Sequence, residues 1–220
     1  MAIIVGTPTT GVATSTSVND GTFDYTCPTG ARILVFGITV ESGANDVNND
    51  TTLSNVKWNG VPMLTAVVRN GSGAGRAAGV FYLIYPASGA HSVTFTATPT
   101  MSSGITGSFM FCVDLTGDVS SRIGDFETRL DADPSILYTV QGTAGVVFDV
   151  FQSNNDAIPD GAPQVAIYSN QNATAFLAGA SYQPHSGSDI TNAYTGTGAP
   201  RYAGAEFIEG TLFTPQMTII

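Results

Sequence analysis

The groups in this 220-residue chain that could do chemistry are few: two histidines, two cysteines and seventeen acidic side chains. His91 opens the alternating stretch HSVTFTAT and His185 falls in a loop-like stretch, and neither has an adjacent Asp or Cys to complete a triad. The sequence contains no G-x-S-x-G elbow. Cys27 and Cys112 have no metal-type spacing and sit in apolar runs without a neighbouring cation to lower a thiol pKa, which leaves two buried inert thiols or a single bridge. Asp46, Asn48 and Asp50 have the D-x-N-x-D spacing of a calcium loop, but Thr51 stands where such a loop needs glycine and Lys57 stands in place of the bidentate glutamate. Asp131 with Asp133 and Asp156 with Asp160 read as solvated turn residues. GSGAGRAAG, residues 71–79, lacks the Lys-Ser/Thr and the helix start of a phosphate loop, so it reads as a β-connection. The N-x-S/T matches at Asn49, Asn70 and Asn172 follow from an Asn-, Ser- and Thr-rich composition. The expectation is a protein that is not an enzyme and holds no cofactor or metal.

The elements carrying these residues are strands. Apolar positions recur with period two between Gly, Pro, Asn and Asp breakers, and about a dozen strand candidates follow from β-branched and aromatic runs. They cover residues 32–40, 54–58, 63–69, 79–85, 91–98, 107–115, 135–140, 146–151, 164–168, 175–182, 202–208 and 212–219. Asn59-Gly60 is the residue pair of a type I′ hairpin, and Asp160-Gly161 has the same composition at a loop end. In HSVTFTAT, Val93, Phe95 and Ala97 share one face while Ser92, Thr94, Thr96 and Thr98 share the other, as in an antiparallel sheet with one wet side. The fold class is therefore all-β, an antiparallel two-sheet β-sandwich of jelly-roll type. Residues 1–20 form an N-terminal strand or arm and residues 21–220 a single sandwich domain, with residues 131–134 as a loop between strands. Residues 7–20 and 186–200 read as polar stretches.

Composition narrows the partners. Charged residues are 11% of the chain and the formal net charge is −10, which repels phosphate polyanions and argues against nucleic acid. No run approaches the roughly 18 apolar residues that span a bilayer, and the start MAIIVGTPTTGVATS lacks a basic segment followed by an apolar one.

The succession VKWNGVPM (56–63), GVFYLIYPASGAHSV (79–93) and FCVDLTG (111–117) resembles the β-sandwich domain of many phage and bacterial surface proteins. The match continues more weakly through AGVVFDVFQ, LAGASYQP and AGAEFIEG, and covers about two thirds of the chain. The resemblance is closest to capsid decoration, or cement, proteins of tailed phages. It implies a structural virion protein on the outer capsid surface, partnered by the major capsid protein and by copies of itself in a homotrimer. In that role Trp58 packs between sheets with a partner for its N–H, and Ile3, Ile4 and Val5 are apolar anchors for an N-terminal strand laid on a neighbour. The alternative is a carbohydrate-binding or adhesin-like module, in which Tyr182, Tyr194 and Tyr202 stack on a glycan.

Overall fold

The computed structural model describes residues 2–16, 20–42, 51–70, 75–99, 105–129, 135–153, 158–159, 161–169, 177–195 and 201–210. The expected strand at 212–219, the acidic motif at 46–50, the pairs Asp131/Asp133 and Asp156/Asp160, the loop 131–134, Asn172 and residues 71–74 lie outside them. None of the described residues is helical.

The first half contains β1 (Ile4–Val5), β2 (Thr9–Thr16), β3 (Asp20–Cys27), β4 (Ile33–Ser42), β5 (Thr51–Trp58), β6 (Val61–Pro62), β7 (Leu64–Arg69), β8 (Arg76–Ile84), β9 (Gly89–Pro99) and β10 (Ile105–Thr116). The second contains β11 (Val119–Arg129), β12 (Ser135–Tyr138), β13 (Gly145–Ser153), β14 (Ile158–Pro159), β15 (Val165–Ser169), β16 (Leu177–His185), β17 (Ile190–Thr195) and β18 (Arg201–Glu209). Every strand pairing is antiparallel.

The all-β antiparallel sandwich expected from the sequence is present, and it is doubled. Four sheets form: β1/β2-β10-β4-β8-β7, β3-β9-β5-β6, β11-β18-β13-β16-β15 and β12-β17-β14. In the first half the winding is that of a jelly roll, with one chain passing alternately between two facing sheets. The second half repeats it strand for strand: β11 stands for β2, β12 for β3, β13 for β4, β15 for β7, β16 for β8, β17 for β9 and β18 for β10.

Three apolar layers hold the four sheets. Phe23, Phe36, Phe81, Phe95 and Trp58 fill the space between the two sheets of the first half. Ile136, Tyr138, Phe151, Tyr194 and Tyr202 fill that of the second. Between the halves, Ile33, Val35, Phe109, Phe111 and Val113 pack on Val146, Phe148, Val150, Ala205 and Phe207, so the sheet containing β4 is covered on both faces. That is why RILVFGITV is continuously apolar while β9, which has one wet side, alternates: Val93, Phe95 and Ala97 are buried, and Thr94 and Thr98 are exposed.

Local chemistry behaves as the sequence indicates at several points. Asn59 and Gly60 have φ of 48° and 77°, the turn geometry that pairs Trp58 with Val61. Trp58 is fully buried and its indole N–H donates to Ala87 O at 3.2 Å. Cys27 and Cys112 are both free and buried; burial pushes the Cys27 thiol up to about 11 and Cys112 well above its ordinary value. The polar stretches 7–20 and 186–200, in contrast, contain strands. Residues 9–16 run along β10, and residues 190–193 along β12 with 194–195 along β14, because backbone pairing to a well-packed neighbour outweighs a Thr- and Asn-rich composition.

Charge also bridges the halves. Glu41 Oε1 accepts from Arg76 Nε at 3.1 Å and Nη2 at 2.8 Å, and Glu41 Oε2 accepts from Gln152 Nε2 of β13 at 3.1 Å. Glu41, Arg76 and Gln152 are all buried, so this network pins one end of the inter-half layer.

Candidate functional site

Three sets of ionisable groups stand out. The first is at the centre of the second sandwich, where Asp149 of β13 is fully buried. Its Oδ1 accepts from Ser181 N at 3.1 Å, Ser181 Oγ at 2.5 Å and Tyr194 Oη at 2.5 Å. Its Oδ2 accepts from Asn192 Nδ2 at 2.6 Å and Tyr202 Oη at 2.7 Å. Burial raises the Asp149 carboxyl above the ordinary range against the pull of these donors, and burial holds Tyr138, Tyr194 and Tyr202 firmly protonated. In the first sandwich the corresponding face of β4 carries Phe36, flanked in register by Cys112 and Phe81, as Asp149 is by Gly204 and Ser181. One half thus centres on an aromatic cluster and the other on a carboxylate.

Glu206 of β18 is the second. Burial is complete, and its carboxylate accepts from Asp125 N at 2.8 Å, Gln141 N at 2.9 Å and Gly142 N at 3.1 Å. His185 Nε2 lies 3.1 Å from Glu206 Oε1, while His185 Nδ1 accepts from Gly187 N at 3.3 Å. An Nδ1 that accepts carries no proton, so the proton of the neutral ring is on Nε2, facing the carboxylate. Burial lowers the His185 pKa, with Glu206 opposing.

The third set lines an open cleft of about 800 Å³ at one end of the first sandwich. Gly6 and Thr7 between β1 and β2, Asp24 and Tyr25 of β3, His91 of β9 and Asp114 of β10 form its walls. Tyr25 Oη donates to Asp114 Oδ1 at 2.7 Å, and Ser92 Oγ donates to Asp24 Oδ1 at 2.5 Å. Burial together with Asp114 pushes the Tyr25 phenol far above its ordinary value, which keeps it a donor. The His91 ring stands edge-on to Trp58, at 5.4 Å between centroids, with Nε2 3.2 Å from Ser88 O. The cleft offers carboxylate acceptors, hydroxyls and an imidazole, groups able to receive a polar ligand. Among the described residues no group of three His, Cys, Asp or Glu is arranged to hold a metal ion.

The residues singled out in the sequence fall elsewhere. Ile3 and Val5 pack against the layer between the halves, and Ile4 is exposed. The segment bearing them pairs with β10 of its own chain, Ile4 opposite Thr116 and Val5 opposite Leu115. Ile3 and Val5, half-buried, thus have an intramolecular role. Tyr194 and Tyr202, expected as exposed platforms, are fully buried donors to Asp149, and Tyr182 is half-buried with its ring tilted against Phe148 at 5.7 Å. Sequence reading passed over Asp149, Glu206, Asp114 and Asp24. For Asp149 a signal existed, since a lone carboxylate interrupts the apolar run VVFDVF.

Neither a protein-family description nor a curated protein sequence matches this chain.

Proposed function

We propose that this chain is a structural protein of a virus particle, a decoration or cement protein on the outer surface of a tailed-phage capsid that works through contacts with the major capsid protein and with its own copies. The observation that carries the reading is the outer face of the β3-β9-β5-β6 sheet. Thr22, Thr26, Thr52, Thr94 and Thr98 are exposed there beside three charged side chains, Asp20, Asp24 and Lys57, giving a surface mainly of hydroxyls for a repeated contact. The buried carboxylates fit the same role, since Glu41, Asp149 and Glu206 each tie strands together. The net charge of −10 favours the outside of a shell over the side facing packaged DNA. A trimer suits the three-fold points of a capsid. The carbohydrate-binding alternative loses Tyr194 and Tyr202 as platforms, both being buried.

Two measurements test this. Mass spectrometry and immunolabelling of purified particles from the phage that encodes the chain are expected to find it in fixed stoichiometry on the outer surface, and sedimentation of the purified chain is expected to give three times 22.7 kDa. Absence from the particle, or turnover of a substrate by the purified chain, overturns the proposal.

A further inference from the structure

The repeated topology supplies an internal comparison for the open cleft. Asp114 and Glu206 occupy the same place in the two sandwiches: each is on the strand second from the edge, on the face turned toward its own outer sheet. Each also lies against a glycine of the edge segment, where a Cβ on Gly6 would collide with Asp114 and one on Gly124 with Glu206. The second sandwich satisfies its carboxylate from within, with three backbone N–H groups. The first does not. Asp114 is 6% exposed, Tyr25 occupies its Oδ1, and among the described residues no donor reaches its Oδ2. The carboxylate of Asp114 thus keeps one oxygen open to the cleft, where the other copy is filled with N–H donors, and has room for a donor brought from outside.

The geometry points to a docking pocket for an arginine side chain carried by a partner protein, with Asp114 at its floor and Asp24 on its wall. A guanidinium brings five N–H donors in one plane, enough to reach a carboxylate and neighbouring hydroxyls at once, and its charge matches the two acids. Thr7, Thr26 and Ser92 add neutral acceptors, and Pro28 and Ala90 give the aliphatic stem apolar surface. A neutral sugar would leave both carboxylate charges uncompensated. The chain's net charge of −10 favours the approach of a basic partner. The inference stands on the cleft itself and goes beyond the virion reading; its failure leaves the particle experiments unaffected.

The test titrates the full-length, isotope-labelled chain with N-acetyl-arginine amide, with the neutral isostere N-acetyl-citrulline amide, and with N-acetylglucosamine, following amide resonances by NMR at fixed ionic strength. Arginine amide is expected to give saturable shifts confined to Thr7, Thr26, His91 and Ser92. Citrulline amide should bind at least tenfold more weakly, and Asp114→Asn should weaken the arginine probe by a similar factor. Asp24 is exposed, so Asp24→Asn keeps the fold and should lower affinity several-fold even if Asp114→Asn proves unstable. Equal binding of arginine and citrulline amides, shifts that never saturate, arginine binding unchanged by Asp24→Asn, or saturable binding of N-acetylglucosamine at these residues each overturns the assignment.

Discussion

Replacing Asp149 separates two ways in which a buried carboxylate can act. Alanine removes the acceptor for Ser181 N, Ser181 Oγ, Tyr194 Oη, Asn192 Nδ2 and Tyr202 Oη in a fully buried space. Leaving buried donors unsatisfied costs about 1–3 kcal/mol each, and the cluster relaxes in part, so the expected loss for Asp149→Ala is about 3–5 kcal/mol. Asparagine keeps the shape. With its oxygen on the Ser181 side, its amide faces Tyr202 Oη, which can accept and pass its own proton toward Tyr138 Oη 2.5 Å away. Asn192 can turn its amide so that Oδ1, buried without a partner in the wild type, accepts from the new N–H. Asp149→Asn is therefore expected to cost only about 1–2 kcal/mol.

The acidity of Asp149 adds a sign. Its carboxyl is raised above 3.8 by burial, so between 3.8 and the raised value the folded chain holds a proton that the unfolded chain has lost. Wild-type stability is thus augmented at low pH and declines as pH rises through that window, while the asparagine variant lacks the titration. Urea denaturation of both proteins across this pH range reads the difference, with the other titrating groups common to both. The advantage of wild type over Asp149→Asn should shrink as pH rises. An advantage that grows with pH would mean that the five donors outweigh desolvation, and would refute the reasoning, as would a cost below about 1 kcal/mol for Asp149→Ala.

Two further outcomes follow from the other buried charges. Glu41→Ala removes a buried acceptor of Arg76 and Gln152 between the two sandwiches and should lower stability in urea by about 2–4 kcal/mol, whereas a surface change such as Thr94→Ala should stay within about 0.5 kcal/mol. His185 is held below its ordinary value of 6.5, so the unfolded chain takes up its proton first: stability should fall as pH drops below 6.5, and thermal melts of His185→Gln should lack that part of the pH dependence.

Much of the fold was legible because strand chemistry is local. Alternation in HSVTFTAT, the Asn59-Gly60 turn and the continuous run RILVFGITV each report their surroundings through residue type alone. Several strands fell outside the expected runs or were left only as a strand or arm. In β3 the signal was present, with Phe23, Tyr25 and Cys27 alternating inward, but short and set between polar residues. β11 is interrupted by register shifts between Val119 and Ile123 and between Ile123 and Phe126, which break the period. β2 is an edge strand of Thr and Ser, and β17 points Asn192 inward because Asp149 is there to meet it.

The sequence by itself determined that the chain is all-β, where its best hairpin turns, and which residues of its apolar strands face inward, since period and turn chemistry are properties of a few neighbouring residues. Only the tertiary structure decided that two like-wound sandwiches stack into four layers, and that Asp149, Glu206 and Asp114 receive different partners at related places. Those outcomes depend on contacts between residues 32 to 111 positions apart, and no local pattern encodes which distant donor will reach a given carboxylate.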